Sequence, residues 1–245
     1  MEGLIISSRE VVTSTSDLVF DAAKAHAPEG TAFTASVQTK GRGRHGRTWH
    51  SPKGNFYISV LLRPRRPRHD WASLSLMAGL ALYHAVADHR PHQELGLKWP
   101  NDLLYQDGKC AGILLEAQDD VVVLGCGVNL DAPPDQVEGW APSALNLSSD
   151  RPPVLPADLT ASFDHHLTRC YQAWDKSGFG GLKKDWLAAA AHYQNRLTIN
   201  QGGDNVLEGV FASLADDGRL CIRDDNGVDH WLTAGDVQRA RLAGN

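Results

Sequence analysis

The chain has 245 residues, enough for one sizeable core and a small second unit, and its hydrophobic fraction of 42% and charged fraction of 22% are typical of globular proteins. This composition excludes a disordered or collagen-like chain. No apolar run approaches the roughly 18 residues of a membrane span. The net charge of −5 gives no overall attraction to nucleic acid. The opening residues MEGLIISSRE predict neither a signal peptide nor a transit peptide, and the four scattered cysteines predict reduced thiols, so we expect a cytoplasmic protein.

The elements predicted for the first part of the chain are two helices and two strands. Ser14 to Asp17 are helix-capping residue types, and they predict a short helix over LVFDAAKA that ends before Pro28. Strands are predicted for TAFTASVQ and FYISVLL, on either side of a long glycine-rich loop. A second helix, capped by Asp70, is predicted over WASLSLMAGLALYHAVADH. Its expected buried face consists of Leu74, Ala78, Ala81, Leu82 and Ala85.

The second half of the chain is predicted to begin with a meander and to end in a separate β unit. LGLKWP, DLLYQ, GKCAGILLEAQ and VVVLGCGVNL are β-rich runs separated by tight-turn sequences. A surface loop over 132–156 and helices over 157–174 and 179–193 are predicted next. From Leu197 onward, alternating residues and two Asp-rich hairpin turns predict a small barrel or sandwich. We therefore predict two domains, residues 1–195 and residues 196–245.

Cations and glycines are concentrated in one predicted loop. The chain has no acid between Gly30 and His69, although this stretch contains nine lysines and arginines and includes GRGRHGR. Glycines let backbone amides approach a ligand, and arginine forks donate to phosphate or carboxylate groups. The loop matches neither a Walker motif nor a dinucleotide fingerprint. By itself it fits a solvated basic loop as well as a nucleic-acid-binding segment.

Two further patches follow, KWPND with its trailing GKCAGILLE, and GCGVN. A hairpin between the two parts of the first patch would bring Lys98, Asn101, Asp102 and Lys109 onto one surface. Taken separately, these charges are also explained by solvated side chains or by a surface ion pair of little energetic value. The glycines of GCGVN are equally explained by close backbone packing of a strand.

In combination, these blocks occur in the order and at the separations found in biotin protein ligases, which the chain resembles from Ser14 to Asn129. The β-rich tail resembles that family's C-terminal barrel. The resemblance implies an α+β fold, in which a mixed-sheet, class II synthetase-like biotin/lipoate ligase catalytic domain precedes a small SH3-like β-barrel. It also implies the stand-alone type of ligase, without the N-terminal DNA-binding repressor domain of larger members.

The resemblance further implies a two-step reaction. Biotin and MgATP form biotinyl-5′-adenylate, and a lysine of a biotin carboxyl carrier protein domain then attacks this mixed anhydride. Mg²⁺ would be held by the ATP phosphates and water, with no direct protein ligand. The implied catalytic residues are Lys109, which bridges the biotin carboxylate and the α-phosphate, Arg44, which clamps phosphate, and Asp102, which orients the attacking amine and accepts its proton.

The binding residues implied by the resemblance fall into two overlapping sets. Those for biotin are Ser14, Thr15, Ser16, Gln38, Gly41, Arg42, Gly43, Arg44, Trp49, Lys109 and Gly112. Those for ATP or the adenylate are Arg42, Arg44, Arg47, Lys98, Asn101, Lys109, Asn129 and Trp140. Ser16 departs from the family, which usually has asparagine there, although a serine hydroxyl can still make one hydrogen bond.

Two alternatives stay open at this point. A lipoate ligase would use the same fold and adenylate chemistry, although the GRGRxGR and KWPND blocks favour biotin. A nucleic-acid-binding module would explain the arginine and glycine loop but leave KWPND unexplained. We expect no DNA and no membrane partner. The identity of the carrier, and whether the chain is a monomer or a homodimer, are not determined by the sequence.

Overall fold

A seven-stranded mixed sheet forms the framework of the protein in a computed structural model that describes residues 1–131, 133, 141–147, 150–200, 206–233 and 236–239. Its strands are β1 (Ile5–Val12), β2 (Thr31–Gln38), β3 (Phe56–Leu62), β4 (Leu95–Lys98), β5 (Asp102–Tyr105), β6 (Gly108–Gln118) and β7 (Val121–Val128). Their order is β1-β2-β3-β7-β6-β5-β4, with β1 parallel to β2 and all other neighbours antiparallel. The predicted meander is confirmed as β4 to β7.

Helices pack on both faces of this sheet. They are α1 (Thr15–Lys24), α2 (Leu74–Ala87), α3 (Pro156–Ser177) and α4 (Lys183–Ala188). α1 packs against β2, β3 and β7, where Val19, Leu61 and Val123 form a small hydrophobic cluster. α2 packs against β4 to β6 and against α3, within the main core. Among the described residues, none of the helices is long and apolar enough to cross a membrane.

The predictions for α1 and α2 are confirmed in type but corrected in detail. The hydroxyl of Ser14 caps α1 by accepting a hydrogen bond from the Ser16 amide, as predicted. Asp70 does not cap α2; it accepts a hydrogen bond from Arg66 Nε at 2.8 Å, and α2 begins at Leu74 after a 3₁₀ turn. α2 is also buried on nearly all sides rather than on one face, because it is enclosed between the sheet and α3.

Two further predictions differ from the structure. No strand was predicted for β1, whose side chains are mostly exposed and lack apolar alternation, and which is defined by its parallel pairing with β2. The helix predicted over 179–193 is only a 3₁₀ turn followed by α4. After α4 the chain pairs with β4 instead, since the Leu97 amide donates to Ala189 O and the Ala191 amide donates to Leu97 O. A backbone that hydrogen-bonds to a strand cannot continue as a helix.

The tail forms a second, antiparallel sheet, in agreement with the predicted small β unit. Its strands are β8 (Arg196–Asn200), β9 (Val206–Leu214), β10 (Leu220–Arg223), β11 (Asp229–Leu232) and β12 (Asp236–Arg239), in the order β11-β10-β9-β8-β12. Both predicted hairpin turns are present, with Gly218 and Gly227 in the left-handed region at φ 94° and 78°. The inner side chains of this sheet join the main core, and Trp99 Nε1 donates to Gly218 O at 2.9 Å. The tail therefore packs directly against the KWPND segment.

Candidate functional site

Strand register explains how distant motifs meet at one place. Lys98 of β4 pairs with Asp102 of β5, which pairs with Gly112 of β6, which in turn pairs with Gly127 of β7. This row crosses four neighbouring strands and joins KWPND, GKCAGILLE and GCGVN. Antiparallel neighbours lie about 5 Å apart. The meander therefore brings together KWPND and GKCAGILLE, as predicted, and places GCGVN beside them.

Asp102 lies between two lysine ammonium groups. Its Oδ1 is 2.7 Å from Lys109 Nζ, and its Oδ2 is 3.1 Å from Lys98 Nζ. Asp102 and Lys98 are both buried. Burial by itself would raise the pKa of Asp102, but the positive charges of Lys109 and Lys98 outweigh it and hold that pKa below its ordinary value. Asp102 is therefore ionised at neutral pH, and the three groups together carry a net positive charge.

A slot without side chains adjoins this cluster. Gly112 and Gly127 face each other across β6 and β7, and the indole of Trp49 lies over both. A Cβ on Gly127 would come within 2.5 Å of Trp49 Nε1, so only glycine allows the indole this close. Lys109 Nζ lies 5.8 Å from the centre of the indole ring. A flat, partly apolar surface thus borders a partly buried cation.

Hydroxyl and amide groups form a second wall beside β7, where a Cβ on Gly125 would lie 3.4 Å from Ser16 Oγ. Thr15 and Ser16 at the start of α1 lie 2.7 and 3.1 Å from Ser59 Oγ, measured between hydroxyl oxygens. Gln38 Oε1 accepts from the Thr15 amide at 2.9 Å, and Gln38 Nε2 donates to Ser51 Oγ at 3.0 Å. Ser51 and Ser59 were missed by the sequence reasoning. Ser59 could have been found, because it is a polar residue inside the apolar run FYISVLL and is fully buried.

The basic loop is tied to the KWPND side through Arg44. Arg44 Nη1 donates to Asn101 Oδ1 at 3.1 Å, and Asn101 Nδ2 donates to Ile113 O at 2.9 Å. The Gly43 amide donates to Arg47 O, while the Arg47 side chain is exposed to solvent. Gly41 lies against the loop's end, where a Cβ would come within 2.4 Å of Trp49 O.

Arg42 is placed differently from the other loop cations. Its Nε and Nη2 donate to the two carboxylate oxygens of Glu116, each at 3.1 Å, and its Nη1 donates to Asp17 at 2.7 Å. Partial burial works against the charge, but the two carboxylates outweigh it and raise the pKa of Arg42 above its ordinary value. Neither carboxylate was among the residues selected from the sequence. Arg42 belongs to a stretch without acidic residues, and its carboxylate partners therefore come from other parts of the chain.

Asn129 and Trp140 complete the predicted set. Asn129 is buried, its Nδ2 donates to Ser143 O at 3.1 Å, and its Oδ1 has no hydrogen-bond partner among the described residues. A buried amide oxygen without a partner is costly and is suited to a donor supplied by a ligand. Trp140 lies outside the described residues.

The arrangement suits the joining of two anions. Lys98, Lys109 and Arg44 provide positive charge, the glycine slot and Trp49 provide an apolar surface, and buried hydroxyls provide hydrogen bonds beside Gly125 of β7. Cations held in place before the reaction stabilise charge that develops between two negative groups. A ligand with a polar head, an apolar middle and an anionic end matches this order of surfaces.

Family, sequence and structure comparisons with known proteins agree with one another. The chain matches the biotin/lipoate A/B protein ligase family over residues 8–130 and the biotin protein ligase C-terminal domain over residues 196–239. It is 34% identical to a biotin–[acetyl-CoA-carboxylase] ligase of Mycobacterium tuberculosis, covering 94% of this chain and 86% of that protein. It is 35% identical to a protein of the same name from Paracoccus denitrificans, covering 77% and 82% respectively. The fold is similar to the biotin protein ligase of Aquifex aeolicus solved with biotin and ATP, with a TM-score of 0.82 at 23% identity over 96% and 99% of the two chains.

Proposed function

This chain belongs to the biotin/lipoate A/B protein ligase family, and from that premise we propose that it activates biotin with ATP and transfers it to a lysine of a biotin carboxyl carrier domain. It is an ATP-dependent biotin protein ligase that forms an amide bond and releases AMP and diphosphate. The relatives' names point to acetyl-CoA carboxylase as the source of the acceptor domain. Residues 1–195 would form the ligase domain, and residues 196–245 the small C-terminal domain.

The observation that carries this proposal is the net positive Lys98, Asp102 and Lys109 cluster beside the glycine slot. In the first step, the biotin carboxylate attacks the α-phosphate of ATP, and both groups are negatively charged. Lys109 is the less buried lysine of the cluster and borders the slot, so its ammonium can lie between them. Arg44 then holds the phosphate from the loop side, while Thr15, Ser16 and Gln38 hold the ureido ring.

In the second step, the neutral amine of the carrier lysine attacks the carbonyl carbon of biotinyl-adenylate. As the carrier lysine attacks, its nitrogen becomes positively charged, and AMP leaves with the electrons of the broken acyl–phosphate bond. Asp102 has a lowered pKa, which makes it a weak proton acceptor but a stable anion beside that developing charge. We therefore assign Asp102 to orienting the amine and stabilising its positive charge, in preference to removing its proton, which passes to water as the amide forms.

Mg²⁺ would enter with ATP. The phosphates and water are then the natural ligands, which this ion prefers. Mg²⁺ bound in this way would neutralise phosphate charge, and the asparagines Asn101 and Asn129 would contact the nucleotide.

The reaction fits the cytoplasm. It consumes ATP, and the four cysteines are free and buried, as in proteins from a reducing compartment. Absence of DNA binding, and the monomeric or dimeric state, stay predictions.

A single assay tests the proposed function. Purified protein is incubated with MgATP and either biotin or lipoate, and pyrophosphate release and retained adenylate are measured. We expect both products with biotin and neither with lipoate, and then biotin incorporation into a carrier domain but not into its acceptor Lys→Arg variant. Activation of lipoate alone would make the chain a lipoate ligase.

Arg44→Gly should let the activated intermediate escape. The substitution removes the guanidinium that clamps phosphate but leaves the wall of hydroxyls and the glycine slot intact. Loss of charged hydrogen bonds of this kind should speed adenylate release roughly ten- to a hundredfold. The measurement is biotin incorporation into a bystander protein such as serum albumin. Arg65→Ala, which removes an exposed charge outside the site, is the matched control, and equal adenylate retention in Arg44→Gly and Arg65→Ala would contradict the role.

A further inference from the structure

Arg42 lies at the neck of the basic loop, where the chain enters and leaves it. The Arg42 backbone forms a β-bridge with Thr48. Backbone hydrogen bonds flank this bridge on both sides, since the Trp49 amide donates to Gly41 O and the Gly43 amide donates to Arg47 O. The residues between are exposed at the tip, where His45 and Gly46 have φ values of 55° and 74°. The loop is thus a small hairpin, and the position of its neck decides where its tip can reach.

The side chain of Arg42 ties this neck to both walls of the site. Glu116 lies on β6, the strand that carries Gly112 of the slot. Asp17 lies in the first turn of α1, next to the hydroxyls of Thr15 and Ser16, and it is itself held by Thr13 Oγ1 at 3.1 Å. One guanidinium therefore joins the loop, the strand and the helix at a single point.

The net charge of the group formed by Arg42, Glu116 and Asp17 disfavours the binding of an anion. Two carboxylates face one guanidinium, and three of its five N–H donors are engaged, one each at Nε, Nη1 and Nη2. The group as a whole carries net negative charge, which would repel a biotin carboxylate or a phosphate. Arg44, by contrast, donates to the neutral amide of Asn101 at 3.1 Å.

We propose that Glu116 and Asp17 are positioning residues that anchor the basic loop (residues 41–49) through Arg42. Arg42 then sets the width of the biotin site instead of clamping the carboxylate of biotin. This inference rests on the proposed function, and it replaces the anion-binding role that the family resemblance suggests for Arg42. A loosened neck would weaken binding of biotin before the reaction and leave the charges at the reacting atoms in place. Loosening the neck should therefore raise KM for biotin and leave kcat unchanged.

The test compares Glu116→Gln, Arg42→Gln and the double variant. Each single variant should raise KM for biotin about fivefold with kcat within about twofold, in the range of a partly exposed bidentate pair. The double variant should be no worse than either single variant, because both act through the same contact. Amide hydrogen exchange in residues 41–49 of the ligand-free protein should rise in all three variants.

The matched control is Glu94→Gln. Glu94 forms a similar carboxylate fork with Arg151, at 2.6 and 2.7 Å, away from the loop, so it reports the effect of losing such a fork on the protein in general. It should change neither KM nor exchange in residues 41–49. Glu116→Gln with unchanged KM, or Arg42→Gln that lowers kcat while loop exchange is unchanged, would overturn the proposal. If wild-type protein activates no biotin, the proposed function fails, but the exchange measurement still decides whether Glu116 anchors the loop.

Discussion

Lys109→Ala should form biotinyl-adenylate about a hundred to a thousand times more slowly than wild type, the usual cost of removing one positioned donor to developing charge. Its ammonium lies 2.7 Å from Asp102 and borders the glycine slot, where the carboxylate and the α-phosphate would meet. The lysine is partly exposed, so the variant should fold normally. The measurement is the single-turnover rate of pyrophosphate release.

Two comparisons sharpen this prediction. Lys109→Arg should rescue poorly, because a wide planar guanidinium does not replace a compact ammonium facing Asp102. Preformed biotinyl-adenylate should restore carrier labelling in part, since it bypasses the first step. Lys24→Ala, which removes an exposed lysine on α1, is the control and should keep the wild-type rate. Adenylation by Lys109→Ala at the wild-type rate would exclude the assigned role.

Asp102→Asn should lose both stability and acyl transfer. The substitution leaves Lys98 and Lys109 without their shared carboxylate, and breaking a buried ion pair on one side costs about 3 kcal/mol. For a chain of this size the corresponding decrease in Tm is roughly 6–12 °C. Carrier labelling should stay impaired even with preformed biotinyl-adenylate, because no anion remains to stabilise the attacking amine.

The pH dependence of this loss follows from the pKa of Asp102. That pKa is lowered in the folded protein by Lys109 and Lys98 against the effect of burial. A lowered pKa contributes stability above the unfolded value of about 4, and this contribution is lost as the pH falls through the folded value. The difference in Tm between wild type and Asp102→Asn should therefore be constant near neutral pH and shrink below about pH 4.

The exposed pair of Lys183 and Asp216 provides the control for Asp102→Asn. Its Nζ to Oδ1 distance is also 2.7 Å, but Asp216 is 71% exposed and water replaces the lost partner. Asp216→Asn should change neither Tm nor carrier labelling appreciably. Equal stability of Asp102→Asn and Asp216→Asn, or full transfer activity of Asp102→Asn with preformed intermediate, would contradict this account.

The sequence by itself determined most local elements and the chemical type of the site. The bounds of β2, β3 and β6 agree with the predicted runs, because alternation and turn residues report local backbone preference. The motif blocks selected Lys98, Asp102, Lys109 and Gly112, which the structure brings together. Ser59 was within reach of the same reasoning, since its hydroxyl interrupts an apolar strand.

Only the tertiary structure decided the features that depend on neighbours distant in the chain. β1 is a strand because β2 pairs with it, and α2 is buried all round because α3 covers its outer side. Arg42 shares the residue type and glycine context of Arg44, yet its carboxylate partners are 25 and 74 residues away in sequence. The energy of a charge depends on the charges brought within a few ångströms of it, and in a folded chain that set is determined by how strands and helices pack.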